Sequence, residues 1–155
     1  MIDNNKREYD INGKLLNKKC NTCFRTLPIQ EYYSNKAQYD GYSNTCKECE
    51  NASVSVRLKN YKRNAKNRNL QFNLTRDDFM QITSKQCSYC GGFGSTSPTG
   101  EKYNGIDRID SSKDYELDNI IPCCFTCNKM KMDMSYHAFL YQIEKIYEYI
   151  NFGGN

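Results

Sequence analysis

Eight of the nine cysteines in this 155-residue chain fall in four Cys-x-x-Cys pairs, and no other feature of the sequence speaks as directly of chemistry. Cys20 and Cys23 are followed by Cys46 and Cys49, and Cys87 and Cys90 by Cys124 and Cys127. A two-residue spacer lets both thiolates of a pair face one ion, and zinc takes four ligands in a tetrahedron. Two pairs make one site, so the spacing predicts two structural Zn2+ ions. Cys123 is left over. It competes with Cys124 for a place beside Cys127, and the tighter spacing favours Cys124. Redox-active pairs or disulfides are the other reading, but four such pairs in one short polar chain argue for metal.

These sites need elements to position them. The chain is 38% hydrophobic with a mean hydropathy of −0.86, lean for one large core. Small modules with little core need staples, which the zinc sites supply. The chain divides into a flexible leader at 1–19, a four-cysteine module at 20–50, a basic linker helix within 51–74, and a domain at 75–155. Asp40-Gly41 reads as a hairpin turn inside the first module. "TRDDFMQIT" from Thr75 carries a capping-box pattern, with Asp78 three residues after the cap. Gly105–Ile109 and Asn119–Ile121 read as short strands around the polar loop "DSSKDYELD". "CCFTCNKMKMDM" then starts a helix. A last helix spans Ser135 to Ile150, with Phe139, Leu140, Ile143, Ile146 and Ile150 on one side and Gly153-Gly154 at its end. The fold class expected is α+β, built from small zinc-stabilised modules.

Charge is informative in its distribution rather than its total. The formal net is +4, but each four-thiolate zinc site carries two net negative charges, so two sites bring the chain near zero. Between Asn51 and Arg76 there is no acidic residue, while Arg57, Lys59, Lys62, Arg63, Lys66, Arg68 and Arg76 are basic. Val54, Leu58, Tyr61 and Ala65 give this stretch one apolar helical stripe. A cationic face without interleaved acid attracts a phosphate backbone, and a solvated linker helix is the plainer alternative. Lys129 and Lys131 read either as further phosphate contacts or as solvated charges.

The order of motifs resembles the HNH, or ββα-metal, endonuclease family. The matching residues are "CSYCGG" at 87–92, "IDRID" at 106–110, "DNIIPCC" at 118–124 and "CNKMK" at 127–131. The front part looks like a zinc-ribbon module of the kind that accompanies some phage HNH proteins. The resemblance implies one catalytic Mg2+ or Mn2+ held by Asp107 and Asn128, whose oxygens suit such ions. It implies that Asn119 holds the loop. The family's first His, the general base, matches Arg108, which stays charged near neutral pH and cannot take a proton. Asp110 could act as base instead. Alternatively, metal-ionised water attacks while Arg108 clamps the phosphate through its planar fork. The sole histidine, His137, lies outside the motif and reads as a surface side chain.

The function expected is metal-dependent hydrolysis of DNA, double-stranded DNA in the sense that a basic helix grips a duplex, and of a viral or mobile-element style. The rival is a non-catalytic zinc-stabilised DNA-binding protein on the same scaffold. A zinc adaptor between proteins leaves the basic helix without a purpose. The polar start, "MIDNNKREYD", does not read as a signal peptide, and no apolar run approaches the roughly 20 residues of a membrane span. An intracellular, reducing setting is expected, either host cytoplasm or nucleus. Target sequence and oligomeric state are not written in the chain.

Overall fold

A computed structural model describes residues 7–153. They form two compact units, residues 7–57 with 96–101, and residues 58–95 with 102–153.

In the first unit, β1 (Glu8–Tyr9), β2 (Leu15–Lys19) and β3 (Thr26–Pro28) make an antiparallel sheet in that order. β4 (Tyr32–Ser34) and β5 (Tyr42–Cys46) form a hairpin, and α1 (Lys47–Ala52) follows. Gly41 closes the hairpin loop with φ +77°, a conformation that favours glycine. Asp40 beside it caps Tyr42 N–H and pairs with Lys18 and Arg7. Burial would raise the Asp40 carboxyl, but these two cations hold it below its usual range. Leu15, Ile29 and Tyr32 pack around Cys20, Cys46 and Cys49. The stretch expected to be a leader therefore needs correcting. Residues 8–19 supply two strands and a buried Leu15, because the cysteine cluster is too small to make a core by itself. Residues 1–6 of that stretch lie outside the described residues.

The second unit holds most of α2 (Val54–Asn67), then α3 (Arg76–Thr83), the short strand β7 (Lys102–Tyr103), β8 (Gly105–Arg108), β9 (Ile120–Cys123), α4 (Phe125–Lys131) and α5 (Tyr136–Glu148). A further short strand, β6 (Ser95–Thr96), precedes β7. Thr75 caps α3 through the expected box: its side chain accepts from Asp78 N–H while Asp78 accepts from Thr75 N–H. Leu58 and Ala65 of α2 are buried, as the stripe predicts, and Lys59, Lys62, Arg63, Lys66 and Arg68 are exposed while Arg57 is half-buried. Phe79 stands edge-on to Tyr61 at 5.3 Å between ring centroids, and with Ile106, Tyr115 and Leu74 it makes the core. Phe139 is buried under Tyr89, whereas Leu140, Ile143, Ile146 and Ile150 of the last helix are exposed. That helix continues as one wider turn through Gly153, and Gly154 lies outside the described residues. Among the described residues no helix is long and apolar enough to cross a membrane.

β8 and β9 pair antiparallel from Gly105↔Cys123 to Arg108↔Ile120, and α4 follows at once, giving a β-β-α unit. Ile106 stands opposite Pro122, so the N–H that proline lacks costs the ladder nothing if the backbone N–H and C=O groups of both residues point away from the partner strand. They do. Pro122 C=O accepts from Ser88 N–H of the cysteine knuckle at 2.9 Å. Ile106 N–H donates to the Tyr61 hydroxyl at 3.0 Å, so helix α2 covers the outer edge of β8. The approach is close enough that a Cβ on Gly105 would lie 2.4 Å from the Tyr61 oxygen. Gly105→Ala should therefore push Tyr61 off this edge and cost about 1–3 kcal/mol, read as a lower denaturant midpoint. Tyr61→Phe should lose less, and should relieve most of the cost of Gly105→Ala in the double variant.

Candidate functional site

The two cysteine quartets assemble as their spacing predicts. Cys20, Cys23, Cys46 and Cys49 bring their sulfurs within 4.8 Å of one another, and so do Cys87, Cys90, Cys124 and Cys127. Either set fits one tetrahedral divalent ion with thiolate ligands, as structural zinc sites require. Cys123 stays out of the second set. Its thiol is buried, donates to Cys124 C=O, and is pushed up by burial and by the charges beside it.

Backbone geometry prepares each set. Burial would raise the Cys20 thiol, but N–H groups of Cys46, Cys23 and Thr22 bring it down to about 6. Cys87 reaches about 6 in the same way, through N–H groups of Cys124, Cys90 and Tyr89. Cys49 and Cys127 are driven upward by burial and then by the neighbouring thiols. Cys20, with Cys23 lowered beside it by Arg25, and Cys87 are thus the thiolates easiest to form, while Cys49 and Cys127 need a cation.

The second quartet also sets the register of α4. Cys124 is its N-cap, with Sγ accepting from Cys127 N–H. Asn128 and Lys131 then follow Cys124 at four and seven residues, on one face of the helix. Asp107 comes from β8 and pairs with Lys131, and Asn128 lines the same cavity as Asp107. Asp107 is buried, 6% exposed. Tyr89 O–H donates to its Oδ2 at 2.7 Å, and Lys131 Nζ lies 3.3 Å from Oδ1 and 3.2 Å from Oδ2. Burial, then that hydrogen bond, pushes the Tyr89 phenol up, so it remains a donor at neutral pH.

A cavity of about 220 Å³ opens next to this group. Asp107, Arg108 and Asn128 line it together with Ser111, with Asn64 of α2 and with Arg68 just past the end of that helix. Arg108 is oriented from two sides. Its Nη1 donates to Lys113 C=O at 2.5 Å, and its guanidinium lies 5.1 Å from the centre of the Tyr115 ring. Asn119 is buried and staples the loop between the strands. Its Oδ1 accepts from Asp110 N–H at 2.9 Å, and its Nδ2 donates to the carbonyls of Asp110 and Asp114 at 3.1 and 2.9 Å.

Two expectations change. Asp110 does not extend the strand beside Arg108. β8 ends at Arg108, and the Asp110 carboxylate turns to the Ser112 hydroxyl and N–H. These contacts and the Lys113 charge lower it, which makes it a weaker base, and it does not line the cavity. Lys131 is no surface phosphate contact. It is fully buried, and besides Asp107 it donates to Arg108 C=O at 3.0 Å and Ser111 Oγ at 3.3 Å. Lys129 is exposed, near the Phe125 ring, and His137 is exposed against Tyr136, away from the cavity.

Sequence reasoning missed Tyr89 and Asn104. Buried Asn104 accepts from Gly94 N–H and donates to the carbonyls of Lys85 and Gly92, tying both sides of the knuckle loop. An Asn directly before Gly105 gives no sequence signal of that role.

No family model matches the sequence. A 102-residue segment, 66% of this chain, is 30% identical to the uncharacterised protein R423 of Acanthamoeba polyphaga mimivirus. The match spans 18% of that protein, so this chain corresponds to a small part of its relative's length. Among solved structures, the chain is similar to the HNH restriction endonuclease PacI at 25% identity and a TM-score of 0.47, over 83% of this chain and 92% of that one.

Purified protein is expected to carry two zinc equivalents per chain, as its two quartets imply. Elemental analysis should find one fewer in Cys124→Ser and no change in Cys123→Ser. Because the ligands bind as thiolates, zinc should be released as pH falls and retained as it rises. Separately, Asn119→Ala strands three backbone groups of the loop and should cost about 1–3 kcal/mol in chemical denaturation.

Proposed function

We propose that this protein is a metal-dependent DNA endonuclease that hydrolyses phosphodiester bonds. The observation that carries the reading is one cavity lined at once by Asp107, Asn128, Arg108 and, from the turn that ends the basic helix, Arg68. Asp107 and Asn128 would hold a Mg2+ or Mn2+ ion through a carboxylate and an amide oxygen, a donor set that suits such ions. The ion would supply charge relief at the phosphate and lower the cost of ionising water.

The chain's own residues do the rest. Arg108, fixed by Lys113 and Tyr115, offers the remaining face of its guanidinium to a phosphate oxygen. Arg68, just past the end of α2, lines the same cavity and adds a second positive charge. Lys59, Lys62, Arg63 and Lys66 lie on the exposed side of that helix, where they would follow the phosphate backbone. Lys129 is exposed in the last turn of α4 and can add to that contact. Asn119 keeps the loop closed so that Arg108 and Ser111 hold their places. With Asp110 turned away and Arg108 permanently charged, no protein base is assigned, and cleavage is expected to be slow. A positioned base typically contributes about 10²–10⁴-fold.

The rival reading is a zinc-stabilised DNA-binding protein without catalysis. It draws on the Lys131 ammonium, which already satisfies the Asp107 carboxylate.

Supercoiled plasmid separates the two. Zinc-loaded protein should nick it with Mg2+ or Mn2+ and not without them. Asp107→Ala/Asn128→Ala should abolish nicking while DNA still shifts in a gel. Nicking that survives the double variant sinks this site. Salt-sensitive binding without any nicking favours the rival.

A further inference from the structure

Lys131 is the one lysine of the second unit with no exposed surface, and the proposed chemistry does not use it. An ammonium is buried only when its three donors and its charge are met. Here they are met by groups of one short stretch: the Asp107 carboxylate, Arg108 C=O and Ser111 Oγ. All of these residues line the cavity. Lys131 is thus a cation placed against the carboxylate that the proposed function assigns to a divalent ion.

We infer that Lys131 is the resident counter-cation of Asp107, a positioning residue that competes with divalent metal for this carboxylate. The inference rests on the proposed metal site for its functional meaning, and on the Asp107–Lys131 pair for its physics. Two cations that face one carboxylate repel each other, so the ammonium weakens metal binding. It also holds Asp107, Arg108 and Ser111 in register when metal is absent. Removing the ammonium leaves a buried carboxylate without its partner. A divalent ion then becomes the only group able to compensate it.

The test is Mn2+ titration followed by electron paramagnetic resonance of free Mn2+, with zinc sites loaded, on wild type, Lys131→Met and Asp107→Asn/Lys131→Met. Lys131→Met should bind Mn2+ about tenfold tighter or more than wild type. Mn2+ should also raise its Tm by more than it raises that of wild type. The double variant should lose both effects. If Lys131→Met does not fold, Lys131→Gln keeps a neutral donor in place and is read the same way. Equal or weaker Mn2+ affinity in the lysine variants overturns the inference, even where wild type binds Mn2+ through Asp107 and Asn128. Tight binding in Lys131→Met beside none in wild type supports the inference and defeats the metal-dependent reading of the natural protein. Binding in neither overturns both.

Discussion

Four thiolates cannot share a sphere of 4.8 Å without a cation. Two unit charges about 4 Å apart cost about 4 kcal/mol at an effective dielectric of 20, and each quartet brings four such groups together. This constraint organises the protein. The strands around the sulfurs are only two to five residues long and bury only a handful of apolar side chains. Without an ion the clusters are sources of repulsion. With one, they are the fixed points from which the rest of each unit is measured. The backbone N–H groups that lower Cys20 and Cys87 belong to the partner pair as well as to their own knuckle. These two thiolates are therefore fully stabilised only after both pairs have come together, which makes assembly of a site cooperative.

In the second unit the cysteine cluster also decides where the polar residues of the cavity go. Cys124 directly follows β9 and caps α4, so strand and helix have a fixed relation. Asn128 and Lys131 inherit their direction from that cap. Ser88, in the opposite knuckle, bonds to Pro122 and fixes the outer edge of β9. Tyr61 performs the same service for β8. Asp107 sits between these two clamped edges, which is why a carboxylate can be held almost out of solvent and met by two donors from different elements.

Much of this was legible in the chain. Pair spacing announced both quartets, Thr75 and Asp78 announced a helix start, and the apolar stripe of α2 announced its buried face. The polar site was legible only by residue type. Asp107, Asn128 and Asn119 drew attention as oxygen donors, but nothing in the sequence says that Asp110 turns back on Ser112. That turn follows from the strand ending one residue after Asp107, and strand ends are set by pairing partners far along the chain. Lys131 misled for a related reason. A lysine in "CNKMK" beside another lysine looks solvated, and only the seven-residue offset from the helix cap turns it inward. The leader misled because a module of four cysteines does not state how many extra strands it needs to cover itself.

The charge balance around Asp107 bears on how the proposed site would fill. The carboxylate faces the Lys131 ammonium, so the pair is close to neutral. What remains at the cavity is the positive charge of Arg68 and Arg108. Such a surface draws an anion before it draws a second cation. On the proposed reading, a phosphodiester arriving against the two guanidiniums would bring the negative charge that a divalent ion needs beside the near-neutral Asp107–Lys131 pair, and Mg2+ is commonly held by one or two carboxylates together with substrate phosphates. Metal affinity would then be weak in the free protein and strengthened by DNA, with the basic helix delivering the missing ligand. The same logic explains how Arg can stand where a base would be. A guanidinium there adds nothing to proton transfer, but it seats the phosphate whose charge completes the site.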